Sequence, residues 1–423
     1  MVAILFSYIF GFSIFGSFTS RDILALIFGV IYIFDNQFRS IFHNLLYNKK
    51  ILKIVFMIVG ILVYAIVLTT ILKAYDYSLI QKFISLLLNC VLGIFVFALY
   101  KRRNCFEKII DDIVMIFIIQ ALIQLSSFIS PTIKTFFDIF RDEGTILLTQ
   151  SYDGMRGLSI AGSNFFGLGI SYGLIYILYF NYQNKLFLSN FAIKIITMSL
   201  LLFAGLSAAR TAIIGFGFGL GYYILKRRIR LARRLVLPKI SIKNLIIWMV
   251  LFILVVSLVY VFLDNETPIV KFYNYLRFAF EYVFNYLETG QLNTRSTDYL
   301  FNNMYFKIPI STFIFGDGYY TGSDGSYYMH TDAGYMRNIL YFGIIGLLLL
   351  FILQINMLNW KREDRFFSTT ILVYILVIHI KGDVLGYSTM IQNILLLVLL
   401  QKMELVDNFY ISNTRYVKGY HGT

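Results

Sequence analysis

Long apolar runs constrain this chain more than any other feature. Segments of about 20 predominantly apolar residues recur along it, and each is long enough to cross the hydrocarbon core of a bilayer as a helix. Only 14% of the 423 residues are charged, whereas soluble domains carry roughly 25%. The runs are continuous and do not alternate in polarity, which argues against a transmembrane barrel. The sequence therefore predicts an all-α integral membrane protein.

The apolar runs predict about twelve spans in a single polytopic membrane domain, residues 1–423. The predicted spans are residues 2–18, 22–38, 51–72, 80–100, 107–129, 159–180, 188–207, 211–226, 244–263, 337–358, 366–380 and 386–402. Two connections are long, residues 130–158 and residues 264–336. Basic residues concentrate in alternate short connections, and residues 226–243 hold eight Lys or Arg and no acid. By the positive-inside rule, both termini are cytoplasmic and the two long connections face outward.

The net charge of +14 indicates topology rather than nucleic-acid binding, because it lies in these connections. Lipid or partner binding by the same basic loop is the alternative interpretation. The chain contains no HExxH, no paired CxxC and no GxxxxGK loop, and its two cysteines allow no disulfide framework. We therefore expect no metal and no cofactor, so that the energy for a reaction must come from an activated substrate.

Charged residues at the outer rim are the candidates for chemistry, because charge beside hydrocarbon costs free energy. Arg156 precedes a span, Arg210 lies in a tight turn between two spans, and Arg295 lies in the large outer loop. His330 lies where that loop re-enters the membrane. Each residue alone has an ordinary explanation, as an interfacial anchor or a surface histidine. Together they offer planar forks for phosphate oxygens and a group that exchanges a proton near neutral pH.

The stretch GDGYYTGSDGSYYMHTDAGY, residues 316–335, is a polar and aromatic island in an apolar chain. Its tyrosines provide flat faces that suit sugar rings, although an interfacial aromatic belt has the same composition. Its aspartates can orient the histidine or a substrate hydroxyl, and they are Asp317, Asp324 and Asp332. The combination fits a site at which a hydroxyl displaces a lipid-linked diphosphate.

The sequence resembles the O-antigen polymerases of the Wzy type, in the wider group that includes the O-antigen ligases. The likeness covers most of the chain, as a layout of about twelve spans with one large outer loop late in the sequence. The segment MRGLSIAGSNFFG matches the family's Arg-x10-Gly pattern with Arg156 and Gly167, and it includes Asn164. The segment GLSAARTAI, around Arg210, is similar to the family's turn of small residues followed by arginine. FGDGYYTGSDG and GYMRNILYFGIIG are similar to the segment that leads out of the large loop.

The resemblance implies glycosyl transfer at the outer face of a bacterial plasma membrane, without metal. The donor is a growing glycan on undecaprenyl pyrophosphate, and the acceptor is the terminal sugar of one lipid-linked repeat unit. Arg156, Arg210 and Arg295 would hold the pyrophosphate and stabilise charge on the leaving group. The residues expected to bind pyrophosphate or sugar are Arg156, Asn164, Asp317, Tyr319 and Tyr320. A separate chain-length regulator is the expected protein partner.

The resemblance also implies that His330, together with Asp332, receives the proton of the acceptor hydroxyl. The family's His-x10-Gly pattern is not met, since twelve residues separate His330 from Gly343. The role of His330 as base or as positioning residue therefore stays open. The expected catalytic residues are His330, Arg210, Arg295 and Asp332.

Two other functions are compatible with the sequence. A ligase that moves finished glycan to lipid A core would carry the same marks. A flippase for the lipid-linked sugar is the alternative of a different class, but transporters usually show matching halves and ionisable groups near the midplane. Here the halves do not match, and the candidate residues cluster at the outer rim.

Overall fold

The structure, a computed structural model, describes residues 1–16, 18–152, 155–182, 191–232, 266–291, 294–386 and 388–419. The predicted all-α class is confirmed over these ranges, which are almost entirely helical. The described sheet is a small antiparallel hairpin of β1 (Ser13–Phe15) and β2 (Phe18–Thr19).

The first 232 residues of the chain contain eleven of the described α-helices. They are α1 (Val2–Phe10), α2 (Ser20–Phe34), α3 (Asn36–Leu46), α4 (Lys49–Ile71), α5 (Ser78–Arg102), α6 (Ile109–Ile129), α7 (Pro131–Asp138), α8 (Glu143–Ser151), α9 (Phe166–Tyr182), α10 (Phe191–Ala208) and α11 (Ala212–Ala232). The helices described after them are α12 (Glu266–Ala279), α13 (Glu281–Thr289), α14 (Arg295–Tyr299), α15 (Ile310–Phe315), α16 (Gly334–Asn356), α17 (Arg365–His379) and α18 (Thr389–Gly419).

Five of the described helices are long and apolar enough to cross a membrane: α4, α5, α6 with the turn before it, α16, and α18 up to Val406. Helices α2 and α3 are bent by 111° against each other and count as a sixth span if they cross together. Helix α17 and the part of α10 from Ile193 are apolar but shorter. The predicted number of twelve spans is therefore not confirmed. The span predicted at residues 244–263 lies outside the described residues.

The first two predicted spans differ most from the structure. The span predicted at residues 2–18 ends as a helix at Phe10, because Gly11 adopts the left-handed conformation with φ of 54° and the hairpin follows. A helix of nine residues is too short to cross the hydrocarbon core. The span predicted at residues 22–38 is interrupted at Asp35, whose carboxylate accepts a hydrogen bond from the N–H of Phe38 and so starts α3.

Glycine pairs bring α9 and α11 into close contact. A Cβ atom added to Gly215 would lie 2.2 Å from the Cα of Gly173, and one added to Gly219 would lie 3.0 Å from the carbonyl oxygen of Tyr176. Gly169 is equally constrained, since its added Cβ would lie 2.6 Å from the Cβ of Ala209. Glycines at four-residue spacing on both helices thus allow the two backbones to approach closely.

Helix α16 is broken at Gly343, whose φ of 65° and ψ of −173° are not helical. The carbonyl groups of Leu340 and Tyr341 accept hydrogen bonds from the N–H groups of Asp317, at 2.6 Å, and Gly318, at 3.2 Å. The first residues of the polar island therefore supply donors to the backbone of a broken helix. This is a structural use for glycine and aspartate in that segment.

The second long connection packs against the helix ends rather than extending away from them. Tyr275 of α12 is buried, its ring contacts those of Phe128 and Phe203, and its hydroxyl donates to the carbonyl of Phe203 at 2.9 Å. This contact holds α12 across the ends of α6 and α10. The next turn of α12 carries Phe278, which becomes part of the site.

Basic connections gather at the other end of the helices. Lys50, at the start of α4, donates to the carbonyl of Leu358 just after α16, at 2.8 Å. Lys101, at the end of α5, forms an ion pair with Glu404 of α18 at 2.7 Å. The apolar helices thus have one end that is rich in basic connections and an opposite end covered by the second long connection.

Candidate functional site

A cavity of about 740 Å³ opens at the end of the helices that the second long connection covers. Helix ends and turns from across the chain contribute to it, including those of α2, α5, α9, α11, α12 and α16. Its wall carries six basic and two acidic side chains: Arg21, Lys82, Arg156, Arg210, Arg337, Lys381, Asp332 and Asp383. An excess of positive charge in a partly enclosed space favours an anionic ligand.

Four of the residues predicted from the sequence line this cavity, namely Arg156, Arg210, Asp332 and Tyr320. They come from three separate segments, since Tyr320 and Asp332 both belong to the polar island, and only tertiary packing brings these segments together. The side chain of Arg295 lies outside the described part of the structure, although the neighbouring Ser296 lines the cavity.

The remaining predicted residues lie away from the cavity wall. Asn164 is buried and donates to the carbonyl of Ala161 at 2.7 Å, so it shapes the loop before α9. Asp317 accepts a hydrogen bond from Thr312 at 2.7 Å, and the ring of Tyr319 stacks on that of Tyr328 at 5.3 Å. These contacts are structural, within the polar island and beside it.

His330 is exposed and lies outside the cavity lining. Its Nδ1 atom lies 3.2 Å from the hydroxyl of Ser326, in the same loop. Both Met329 and His330 have positive φ values, of 56° and 54°, and this tight turn leaves the imidazole on the surface. The structure therefore does not bring His330 together with the predicted arginines.

The first basic cluster consists of Arg156, Arg210 and Lys381. Arg156 donates to the carbonyl of Ala208 at 2.9 Å, which ties the loop before α9 to the end of α10. The guanidinium carbons of Arg156 and Arg210 lie 5.2 and 4.9 Å from the ring centroid of Phe278. One aromatic ring of α12 thus holds both guanidinium groups at the cavity.

Polar neighbours complete the first basic cluster. Arg210 forms an ion pair with Glu281, the first residue of α13. Arg210 and Lys381 each lie 3.5 Å from the hydroxyl of Ser296. Burial lowers the pKa of both Arg156 and Lys381, and the positive charge of Arg210 lowers both further. Positive groups held this close, and partly out of water, gain free energy when an anion binds between them.

The second basic cluster consists of Lys82 and Arg337. The guanidinium carbon of Arg337 lies 3.8 Å from the ring centroids of both Tyr320 and Tyr327. Lys82 donates to the hydroxyl of Tyr320 at 2.7 Å and lies 4.1 Å from the centre of the same ring. Helix α5 supplies the lysine, helix α16 the arginine, and the polar island supplies both rings.

Asp383 is hydrogen-bonded to the second basic cluster through Tyr320. Its two carboxylate oxygens accept hydrogen bonds from Tyr320, at 3.0 Å, and from Asn338, at 3.2 Å. Burial raises the pKa of Asp383 to about 6, although the charges of Arg337 and Lys82 act in the opposite direction. Each oxygen accepts one hydrogen bond, so this carboxylate helps to position Tyr320 at the cavity wall.

His379 is buried beside Asp383 and has a structural environment. Its Nδ1 accepts hydrogen bonds from the N–H groups of Val384, at 3.0 Å, and Leu385, at 3.3 Å. A ring nitrogen that accepts two backbone N–H groups carries no proton, so the imidazole is neutral here. His379 thus stabilises the turn that presents Lys381 and Asp383 to the cavity.

Asp332 faces both clusters. Burial raises the pKa of its carboxyl group, while the charges of Arg337 and Lys381 lower it. Within the described chain, its carboxylate forms no ion pair and no hydrogen bond with another side chain. It is therefore a half-buried carboxylate that is available to accept a proton from a ligand.

Sequence reasoning missed five charged residues of the cavity wall: Arg21, Lys82, Arg337, Lys381 and Asp383. Lys82 and Arg337 fall inside the predicted spans at residues 80–100 and 337–358. A charged residue within a span is itself a signal of function, and this signal could have found them. Arg21 differs from the others, because it donates to the carbonyl groups of Tyr8 and Ile9 and so caps α1.

Fold and site define a class: a helical protein with membrane-compatible apolar helices and a cationic cavity at one end of them. Comparison of the chain with protein-family models, curated proteins and solved structures gives no match. The particular function is therefore argued from the geometry and charge of the cavity.

Proposed function

We propose that the protein is a polymerase of lipid-linked oligosaccharide repeat units, in O-antigen or capsule synthesis. It transfers the growing glycan from undecaprenyl pyrophosphate onto the terminal sugar of an incoming repeat unit. One observation carries the proposal: Arg156 and Arg210, which the sequence resemblance assigns to the pyrophosphate, lie against one ring of Phe278 in a shared cavity with Lys381. Three cations in one place suit a diphosphate, whose charge is spread over several oxygens.

The proposed location is the bacterial plasma membrane, with the cavity on the outer face and the C-terminus in the cytoplasm. The cytoplasmic N-terminus predicted from the sequence is left out of the proposal, because α1 is too short to cross and its last residue, Phe10, lines the cavity. The basic connections support this orientation, because they gather at the end opposite to the cavity. Helix α18 runs in the same sense, since Thr389 lines the cavity and Lys402 contacts Asp364 near the basic end. Lipid-linked donor and acceptor then reach the cavity from the bilayer.

In the proposed reaction, the acceptor hydroxyl oxygen bonds to the anomeric carbon of the donor as the bond to the diphosphate oxygen breaks. The first basic cluster stabilises the negative charge that develops on the departing diphosphate. Asp332 accepts the hydroxyl proton, because it is the cavity carboxylate without a side-chain partner in the described chain. This assigns the proton transfer to Asp332 and none to the exposed His330.

Purified protein in lipid nanodiscs tests this function directly. Given a synthetic repeat unit on undecaprenyl pyrophosphate, it should produce a ladder of glycan sizes on a gel. The ladder should be lost with Arg210→Gln and kept with Arg277→Gln. Arg277 is a matched control, because it is an exposed arginine of α12 that pairs with Glu288 at 3.0 Å, away from the cavity.

Other outcomes identify the alternatives. Products that form only with a lipid A core acceptor would indicate a ligase. Movement of the lipid-linked sugar across liposome membranes, without any new glycosidic bond, would indicate a flippase. Either result overturns the polymerase proposal.

A further inference from the structure

We propose that the second basic cluster binds a carboxylate on the glycan itself, so that the repeat unit contains an acidic sugar. The inference rests on the proposed polymerase function and concerns its substrate class. It starts from Arg337, which is only 6% exposed and lines the cavity.

Arg337 is a buried cation on which the carboxylates of Asp383 and Asp332 act only from beyond ion-pair distance. Its Nε and Nη2 atoms form no hydrogen bond, and no carboxylate lies within ion-pair distance of it. Two tyrosine rings contact its faces at 3.8 Å, which leaves the edge of the guanidinium group for a ligand. A buried charge that lacks hydrogen bonds costs several kcal/mol, so an anion that supplies acceptors here would bind with a large gain.

The two basic clusters are electrostatically distinct. The charges that act on Lys381 are those of Arg210, Asp332 and Arg156. Those that act on Lys82 are Asp383, Arg337 and Asp76, which belong to the other side of the cavity. Within the described part of the chain, Asp332 is influenced by the charge of a base from each cluster, Arg337 and Lys381. The cavity therefore offers two anion sites with the proposed proton acceptor between them.

The chemistry of the reaction decides which anion fits the second site. The donor diphosphate occupies the first cluster, next to the anomeric carbon. The acceptor reacts through its terminal sugar, so its own diphosphate lies a whole repeat unit away. An anion beside the reacting hydroxyl must then belong to a sugar. A carboxylate matches the planar, two-donor edge of Arg337, and the rings of Tyr320 and Tyr327 form apolar walls for a sugar.

Two synthetic probes that differ only at one carbon test the inference. Each is a disaccharide on undecaprenyl pyrophosphate, ending in glucuronic acid in one probe and in glucose in the other. We expect wild-type protein in nanodiscs to bind the glucuronate probe at least about 10-fold more tightly, or ~1.4 kcal/mol. Arg337→Gln should abolish this preference, so that the ratio of the two affinities falls to about 1 whatever the affinity for the glucose probe itself becomes. Arg156→Gln should weaken the binding of both probes by the same factor.

Further variants guard against a folding defect. Arg337→Lys keeps the charge and should keep part of the preference, and Lys82→Gln should reduce the preference without touching Arg337. Equal affinity of wild-type protein for both probes overturns the inference while leaving the polymerase proposal standing. Binding of two inorganic pyrophosphate ions, one of them lost in Arg337→Gln, also overturns it in favour of a second diphosphate. Failure of both probes to bind counts against the polymerase proposal itself.

Discussion

The two arginine environments of the cavity differ in how their charge is balanced. Arg210 lies in a turn, has Glu281 as counter-ion and rests on one aromatic ring. Arg337 lies in helix α16, is enclosed between two tyrosine rings and forms no direct ion pair among the described residues. The carboxylates of Asp383 and Asp332 act on it from farther away. A charge that already has a carboxylate can exchange it for a ligand during each turnover. An arginine without a direct ion pair is suited to recognition, because the free energy of the protein falls when an anion of matching geometry binds to it.

Substitution of Asp332, the carboxylate that faces both clusters, should have the largest effect on the rate of chain extension. Asp332→Asn keeps the size of the side chain but removes the proton acceptor, so we expect chain extension to slow by roughly 10²- to 10⁴-fold. Initial rates of ladder formation, at saturating substrate, measure this loss. His330→Ala is the matched control and should change the rate less than about 2-fold, because an exposed surface residue contributes little. The reverse order of effects would return the proton transfer to His330.

Substitution in the first basic cluster should cause the second-largest loss of rate. Arg210→Gln removes a donor that stabilises the departing diphosphate, and we expect a loss of about 10²- to 10³-fold in turnover. The effect should appear in kcat more than in KM, because the charge on the diphosphate grows in the transition state. A variant that raises KM alone would show that Arg210 only binds the ground state, and the contrast with Arg337 would disappear.

The helix that carries Arg337 provides a prediction about stability. Gly343→Ala should destabilise the protein by at least about 1–3 kcal/mol, because the backbone conformation at φ 65° and ψ −173° is accessible mainly to glycine. The added Cβ would also lie 2.1 Å from the carbonyl oxygen of Ile314. Thermal unfolding in detergent measures the change. Gly60→Ala in α4 is the control, since its Cβ meets no atom within 4 Å and alanine favours a helix.

Local sequence predicts the helices well but predicts their ends poorly. Continuous apolar runs and glycine spacing indicate α4, α5 and the α9–α11 contact, because burial in lipid and close packing depend on local composition. The turn at Gly11 is hidden within FGFSIFGSF, where aromatic residues continue on both sides of it. The length of an apolar run is therefore a poor guide to the number of spans, since one run need not form one helix.

The site is predictable to the extent that its residues stand out against their surroundings. Arg156 and Arg210 are conspicuous because they are charged residues at the ends of apolar runs. Arg337 and Lys82 look like ordinary flanking charges, and only the packing of α5 beside α16 shows that they share a cavity. The orientation of the His330 side chain is equally hard to predict. It depends on the positive φ of Met329, which the amino-acid composition of the loop does not reveal.

The smallest predicted effect is on the pH dependence of the rate, and it tests whether Arg337 influences Asp332. As a proton acceptor, Asp332 acts only when ionised, so the rate should fall as pH drops through its pKa. Burial raises that pKa above the ordinary value, and the positive charge of Arg337 lowers it in part. Arg337→Gln removes the lowering influence, so the acid limb of the pH–rate profile should move to higher pH. Initial rates with the glucose-ending probe, at constant ionic strength, measure the shift.

Arg277→Gln should leave the limb in place, since that exposed residue pairs with Glu288 elsewhere. A limb that stays unchanged in Arg337→Gln would mean that the titrating group is remote from the second basic cluster. Asp332 would then not be the carboxylate shared by the two anion sites. The idea that substrate recognition at Arg337 influences proton transfer would be wrong. A limb that moves downward would contradict the sign of the interaction, because loss of a neighbouring positive charge can only disfavour an ionised carboxylate.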